Sequence, residues 1–293
     1  MPGSQFKTAF ILSAVIAGLA AVTSAGGLLL PDLYRDNTWT TSQMRGNDLV
    51  TLVVAAPLLA VSIIMTRRGS LRWQLVWLSM LGYMFYNYVF YLYGTAFNRF
   101  FLLYVVLLTL AIFTLILALS SIEAEPIRQA FAPGTPVKAI SGYMLFIAVV
   151  LGGMWLAQCL AFLFSGQVPQ VILTAGATTS VVFATDLSLM VPAMALGAVL
   201  LWRRQAWGYL LGTILMIKGT TYTLALLAMG LFAALAGTLG GDWVLLPLWG
   251  LLCAGCLLAT GFLLLNVQKE RHFEKPSIKR SEPSRKNKTL LMK

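Results

Sequence analysis

Lys218 stands in the middle of a largely apolar run from Tyr209 to Tyr222. An ammonium at the centre of a bilayer costs roughly 2.5–3.5 kcal/mol on insertion scales, so it turns towards a polar interior, a partner or a cavity. It lies twelve residues past Ala206, roughly 18 Å along a helix in a core about 30 Å thick, too deep to reach either surface comfortably. Two uses fit: a binding site for an anion or a proton, or an amine held by carbonyls and hydroxyls to fix helix packing. Helical spacing puts Trp207, Leu211, Ile214, Thr221 and Tyr222 on the same face as Lys218.

A second polar locus is the stretch Gly82 to Gly94. Tyr83, Asn87 and either Phe90 or Tyr91 share one face there, and a membrane-buried Asn such as Asn87 seeks a partner on another helix, a contact worth about 0.6–2 kcal/mol. Tyr91 and Tyr93 are expected near the surface, as part of an aromatic belt. Tyr83, Tyr86 and Asn87 lie deeper and are expected to line a polar cavity facing Lys218. Asp48 and Asp186 precede apolar runs, so each is expected to cap the first turn of its helix, where free N–H groups and the helix dipole favour a carboxylate. Direct pairing of either with Lys218 would require a kink or a re-entrant loop. The candidate binding set is therefore Lys218, Asn87, Tyr83, Tyr86, Tyr222, Asp48 and Asp186.

Composition says what must position these groups. The 293 residues are 59% hydrophobic and only 11% charged, with a mean hydropathy of +0.82, against about 25% charged for a soluble domain. Repeated membrane spans follow, and with them an all-α bundle in a lipid bilayer. The net charge of +11 does not mark nucleic-acid binding, because the basic residues sit in short connections and in the tail after Val267 rather than along one face. Cys159, Cys253 and Cys256 fall inside apolar segments and His272 in the tail, which argues against a disulfide framework and against a His-based haem or metal site in the membrane. Cys253 and Cys256 have the spacing of a redox half-motif, but with no second pair they read as helix packing. No nucleotide loop, nucleophile elbow, zinc-protease helix or paired-carboxylate pattern occurs, so no cofactor and no catalytic residue is expected.

Eight spans are expected, at roughly 8–30, 49–66, 73–93, 100–120, 139–164, 186–202, 206–230 and 244–266. The first has signal-peptide features but is long for one, and is read as an uncleaved helix. Of the 21 Lys and Arg, only Arg35, Arg45 and Arg99 fall on the side opposite the N-terminus, and Lys218 lies within a span. Both termini are therefore expected in the cytoplasm. The outer connection 31–47 is polar, and the outer connection 165–185 is apolar enough to dip back into the membrane. The basic tail is expected to be disordered and to adhere to anionic lipid.

The Pro- and Gly-containing stretch 121–138 reads as a cytoplasmic linker between two similar halves, 1–120 and 139–266. Asp48-Leu49, Pro57, Arg67-Arg68 and Trp73 recur in order as Asp186-Leu187, Pro192, Arg203-Arg204 and Trp207. Four helices per half would make the repeats parallel, an arrangement that in some transporters places a site at the repeat interface near the midplane. The alternative is that both prolines are ordinary kinks.

The segments Arg45 to Leu52, Gly82 to Tyr91 and Ala96 to Tyr104 resemble bacterial integral membrane proteins of no assigned function. The resemblance implies a bacterial plasma membrane and no substrate. The leading expectation is a permease-like protein for a small solute, with Lys218 as the charge contact. The competing one is a structural, sensory or assembly protein whose polar residues serve helix packing. A lipid-acting enzyme, which would have to draw on Asp32, Asp36 and Asp48, ranks below both.

Overall fold

The computed structural model describes residues 4–238, 243 and 245–268. The basic tail expected to bind anionic lipid lies almost entirely outside the described residues. Among them, eight helical segments are long and apolar enough to cross a membrane, so the chain is an all-α, multi-pass membrane protein. The crossings are α1 (Ser4–Leu29), α2 (Thr38–Val50) continued by α3 (Ala56–Arg67), α4 (Leu71–Tyr93), α5 (Phe101–Ser120) and, after a short α6 (Ala124–Ala130), α7 (Val137–Ser165). A short α8 (Gln170–Ala175) then leads to α9 (Val181–Thr185) continued by α10 (Val191–Trp202), and to α11 (Ala206–Leu235) and α12 (Leu245–Leu265).

The second span begins eleven residues before its expected start at position 49. Asn37 caps it, its side chain accepting from the Thr40 N–H at 2.9 Å, and Asp48 lies ten residues inside the helix. Likewise Ser180 accepts from the Phe183 N–H at 3.2 Å and starts the sixth span ahead of Asp186. Neither carboxylate caps a helix. The polar residues of 38–47 hid this start because their partners are other helices, not water.

Both spans contain a π turn, Thr51–Ala55 and Asp186–Met190, each ending two residues before a proline, Pro57 and Pro192. Proline lacks an N–H and its ring clashes with the carbonyl four residues back; one extra residue in the turn relieves both. Adding 135 to a residue number carries the first π turn onto the second, α3 onto α10, and the start of α4 onto the start of α11. The same step carries Gly69 onto Arg204, which both have positive φ (89° and 54°). In this register Thr51 matches Asp186, Tyr83 matches Lys218 and Asn87 matches Tyr222. Counted this way, Asp48 falls opposite Phe183 and Asp186 opposite Thr51.

The halves differ where α2 has its counterpart. Unbroken α2 lies directly against α11: a Cβ on Gly46 would stand 2.5 Å from the Met229 backbone nitrogen. The corresponding stretch of the second half is broken between α8 and α9, where Gly176 takes φ 64°. That break leaves space beside α4 and α11, the two helices at the centre of the bundle.

The expected linker is not loose. Ile127 of α6 is buried, Phe131 packs on Tyr209 with ring centroids 4.9 Å apart, and Phe131 pairs with Val267 in an isolated antiparallel bridge. Arg72 donates from Nε and Nη2 to the Val267 carbonyl at 3.1 and 2.6 Å. These contacts draw the middle of the chain and the end of α12 together at one end of the bundle.

Candidate functional site

Two buried polar clusters flank α4, and they differ in kind. The first is closed. Asp48 accepts from Tyr34 Oη at 2.5 Å and from Tyr91 Oη at 2.8 Å. Asn47 donates to Asn87 Oδ1 at 2.7 Å and to Tyr91 Oη at 3.2 Å, and accepts from Tyr83 Oη at 3.2 Å. Thr51 Oγ1 bonds Tyr83 Oη at 3.0 Å, and Tyr88 Oη meets Thr23 Oγ1 at 3.1 Å. Asp48, Tyr83, Tyr88 and Tyr91 are at most 2% exposed. Gly27 makes room for the carboxylate: a Cβ there would stand 1.8 Å from Asp48 Oδ2. Tyr91, expected in a surface belt, belongs to this network, whereas Tyr93 is exposed. Because the polar groups answer one another, the cluster ties α1, α2 and α4 together.

The second cluster adjoins a cavity of about 540 Å3. It extends from Asp36, Tyr93 and Gly176 at the loop end down to Lys218, Met194 and Cys256. Lys218 is only 3% exposed, yet it lines this space. Its Nζ lies 3.3 Å from the Tyr86 ring centroid and 4.3 Å from that of Tyr222, and the two rings meet edge to face. Among the described residues, a weak contact with Met190 Sδ at 4.0 Å is its one hydrogen-bond partner.

Asp186 is close but does not pair with the amine. Among the described residues the one ion pair within 4.0 Å is Glu125–Arg128, remote from the cavity. The oxygens of Asp186 are engaged elsewhere: Oδ1 accepts a short bond from Tyr86 Oη, and Oδ2 accepts from Trp155 Nε1 at 2.8 Å. Trp155 in turn stacks on Phe183, centroids 4.4 Å apart. Tyr86 thus bridges acid and amine, its hydroxyl on one and its ring face on the other. Each cation–π contact contributes about 0.5–2 kcal/mol, which offsets part of the amine's burial.

Comparison with protein-family models, curated proteins and solved structures found no match to this chain. The chemistry is therefore read from the geometry.

The sequence-expected residues divide between the clusters. Lys218, Tyr86, Tyr222 and Asp186 come together. Asp48 and Tyr83 lie in the closed network and do not line the cavity. Asn87 touches both, lining the cavity while its side chain bonds Asn47 and Thr51. Trp155 and Met190 were not singled out in sequence. Trp155 had a usable signal, an indole N–H within a span that needs an acceptor; Met190 had none. At the loop end, Asp36 accepts from the Ala96 N–H at 2.9 Å. Burial raises its carboxyl above the ordinary range, and that amide holds it partly back. Among the described residues, no three His, Cys, Asp or Glu gather as a metal set.

Proposed function

We propose that this membrane protein is permease-like, binding a small anionic solute at Lys218 in a cavity that opens on the outer side. The observation that carries the reading is an ammonium that lines a cavity and, among the described residues, has no oxygen acceptor. Its N–H groups meet no oxygen within hydrogen-bond reach among the described residues, and the nearby Asp186 carboxylate accepts instead from Tyr86 and Trp155. A ligand carboxylate or phosphate would complete the shell with charge-assisted hydrogen bonds. The cytoplasmic placement of the Arg67 and Arg203 end follows from the distribution of Lys and Arg, and it makes the Asp36 end the outer mouth. The matched π turns support two parallel four-helix repeats around 121–138, with the site beside their contact.

A packing role suits the Asp48 cluster, whose groups satisfy one another. It suits Lys218 poorly, because two tyrosine faces and a thioether leave its N–H groups without a strong acceptor.

Thiol labelling tests the reading. In a background with Cys159, Cys253 and Cys256 replaced by Ala, single cysteines at Met229, Leu226 and Tyr222 descend the cavity-lining face of α11. A membrane-impermeant maleimide added outside should label all three, more slowly with depth, and an anionic ligand should protect Tyr222→Cys. No labelling at Leu226 and Tyr222 from either side would remove the proposal.

A further inference from the structure

The cavity has a side as well as a mouth. From Val149 to Ser165 no residue of α7 is buried, and on α12 none of the described residues is buried before Leu252. α7 and α12 meet where Tyr143 Oη donates to the Leu252 carbonyl at 2.8 Å, with Gly255 under the tyrosine ring. Towards the outer end the cavity is lined by Val150, Leu151 and Met154 of α7 and by Leu248 and Trp249 of α12. α1, by contrast, lies along α5.

A cavity with apolar walls on two sparsely buried helices, leading to one buried cation, has the layout of an amphiphile site. Resting on the anion-site reading above, we propose that the ligand is an amphiphilic monocarboxylate: its head meets Lys218 and its hydrocarbon chain lies between α7 and α12. Lys218 is the single Lys, Arg or His among the residues lining the cavity. A single ammonium with the Asp186 carboxylate beside it disfavours a dianion: phosphate recruits Arg or several donors, which the described lining lacks. Methionines at Met154, Met190 and Met194 supply an adaptable wall that tolerates chains of different shape.

The test is photolabelling of the full-length protein in phosphatidylcholine nanodiscs with hexadecanoate bearing a terminal diazirine, adducts being mapped by mass spectrometry. Adducts are expected on Leu151, Met154, Leu248 or Trp249. Unlabelled hexadecanoate should displace them, its methyl ester should not, and K218M should reduce them at least tenfold. M154W, which crowds the gap without touching Lys218, should reduce hexadecanoate labelling but spare butanoate binding followed by saturation-transfer NMR. Labelling that K218M leaves intact, or that the methyl ester displaces equally well, would overturn the inference, as would crosslinks to a second copy of the chain in place of the gap. If butanoate competes as well as hexadecanoate, the hydrocarbon arm contributes nothing: the amphiphile is lost and the small-anion site stands. If no carboxylate engages through Lys218 and the cavity cysteines stay unlabelled, both readings fall.

Discussion

Lys218→Met separates a binding amine from a structural one, because the two roles predict opposite signs of stability. The buried amine costs roughly 2.5–3.5 kcal/mol relative to an apolar residue at the midplane. The structure returns two cation–π contacts, with Tyr86 at 3.3 Å and Tyr222 at 4.3 Å, together about 1–3 kcal/mol if each lies near the middle of its range. The Met190 contact at 4.0 Å adds little, and what is lost at Asp186 is a charge attraction without a direct ion pair. Methionine is also near lysine in length and fills the same space. The expected outcome is a protein as stable as wild type or up to about 2 kcal/mol more stable, with anion binding lost. Reversible denaturation in mixed micelles, with tryptophan fluorescence as the readout, measures the difference. A loss of 2 kcal/mol or more would refute the reasoning, since it would show the amine tied into the fold by interactions stronger than those seen.

Asp186→Asn keeps an acceptor for Tyr86 but turns an NH2 towards the Trp155 indole N–H, so the same assay should show a loss of about 1–3 kcal/mol. Asp48→Leu leaves the Tyr34 and Tyr91 hydroxyls without their acceptor, each orphaned hydroxyl costing about 1–3 kcal/mol, and should be the most damaging single change at either cluster. Gly46→Ala brings a methyl group against the α11 backbone and should cost about 1–3 kcal/mol through strain; unchanged stability would mean that α2 and α11 are less intimately packed. Asp36 carries a pH signature. Its native pKa lies above its unfolded value, so the native state holds its proton more tightly and its contribution to stability is greatest below the unfolded pKa, then declines as pH rises through the native one. Asp36→Asn retains an acceptor for Ala96 and should flatten that decline in a thermal-unfolding series across the acidic range. A stability that instead rises with pH only when Asp36 is present would contradict the assignment.

Much of the architecture was readable because lipid leaves the backbone few options: an apolar segment of sufficient length must satisfy its own hydrogen bonds as a helix. That logic fails at 38–48, where Thr40, Ser42, Asn47 and Asp48 are buried although the segment is polar. Hydropathy measures transfer to lipid, whereas these side chains transfer to one another. The π turns were invisible for a different reason. Prolines at 57 and 192 signalled an interruption, but the extra residue changes the face on which everything upstream lies, so an ideal helical wheel misplaces Asp48. Lys218 could be found from sequence because a lone charge in an apolar run is conspicuous. Tyr86, Tyr222 and Asp186 were named with it, but Trp155 and Met190 were not, and which of the named residues meet the amine depends on the tertiary register of three spans.

That register also shows how one framework holds two different polar sites. Counted 135 residues apart, Thr51 and Tyr83 correspond to Asp186 and Lys218, and the hydroxyl pair bonds directly at 3.0 Å. Two neutral hydroxyls can satisfy each other in a dry interior at little cost, and an unbroken α2 beside them completes the seal. An acid and an amine in those places, drawn apart by Tyr86 and Trp155, cannot neutralise each other by contact. The break between α8 and α9 then leaves them beside open space. Exchanging the pair should therefore do more than alter local stability. In a Thr51→Asp, Tyr83→Lys double variant, the new charges would be enclosed with no cavity to serve, and destabilisation is expected. The reverse double variant, Asp186→Thr with Lys218→Tyr, should fold and bind no anion. If the first variant proves as stable as the second in the micelle assay, the difference between the halves does not lie in the space around the pair, and the case for a dedicated site at Lys218 loses its physical basis.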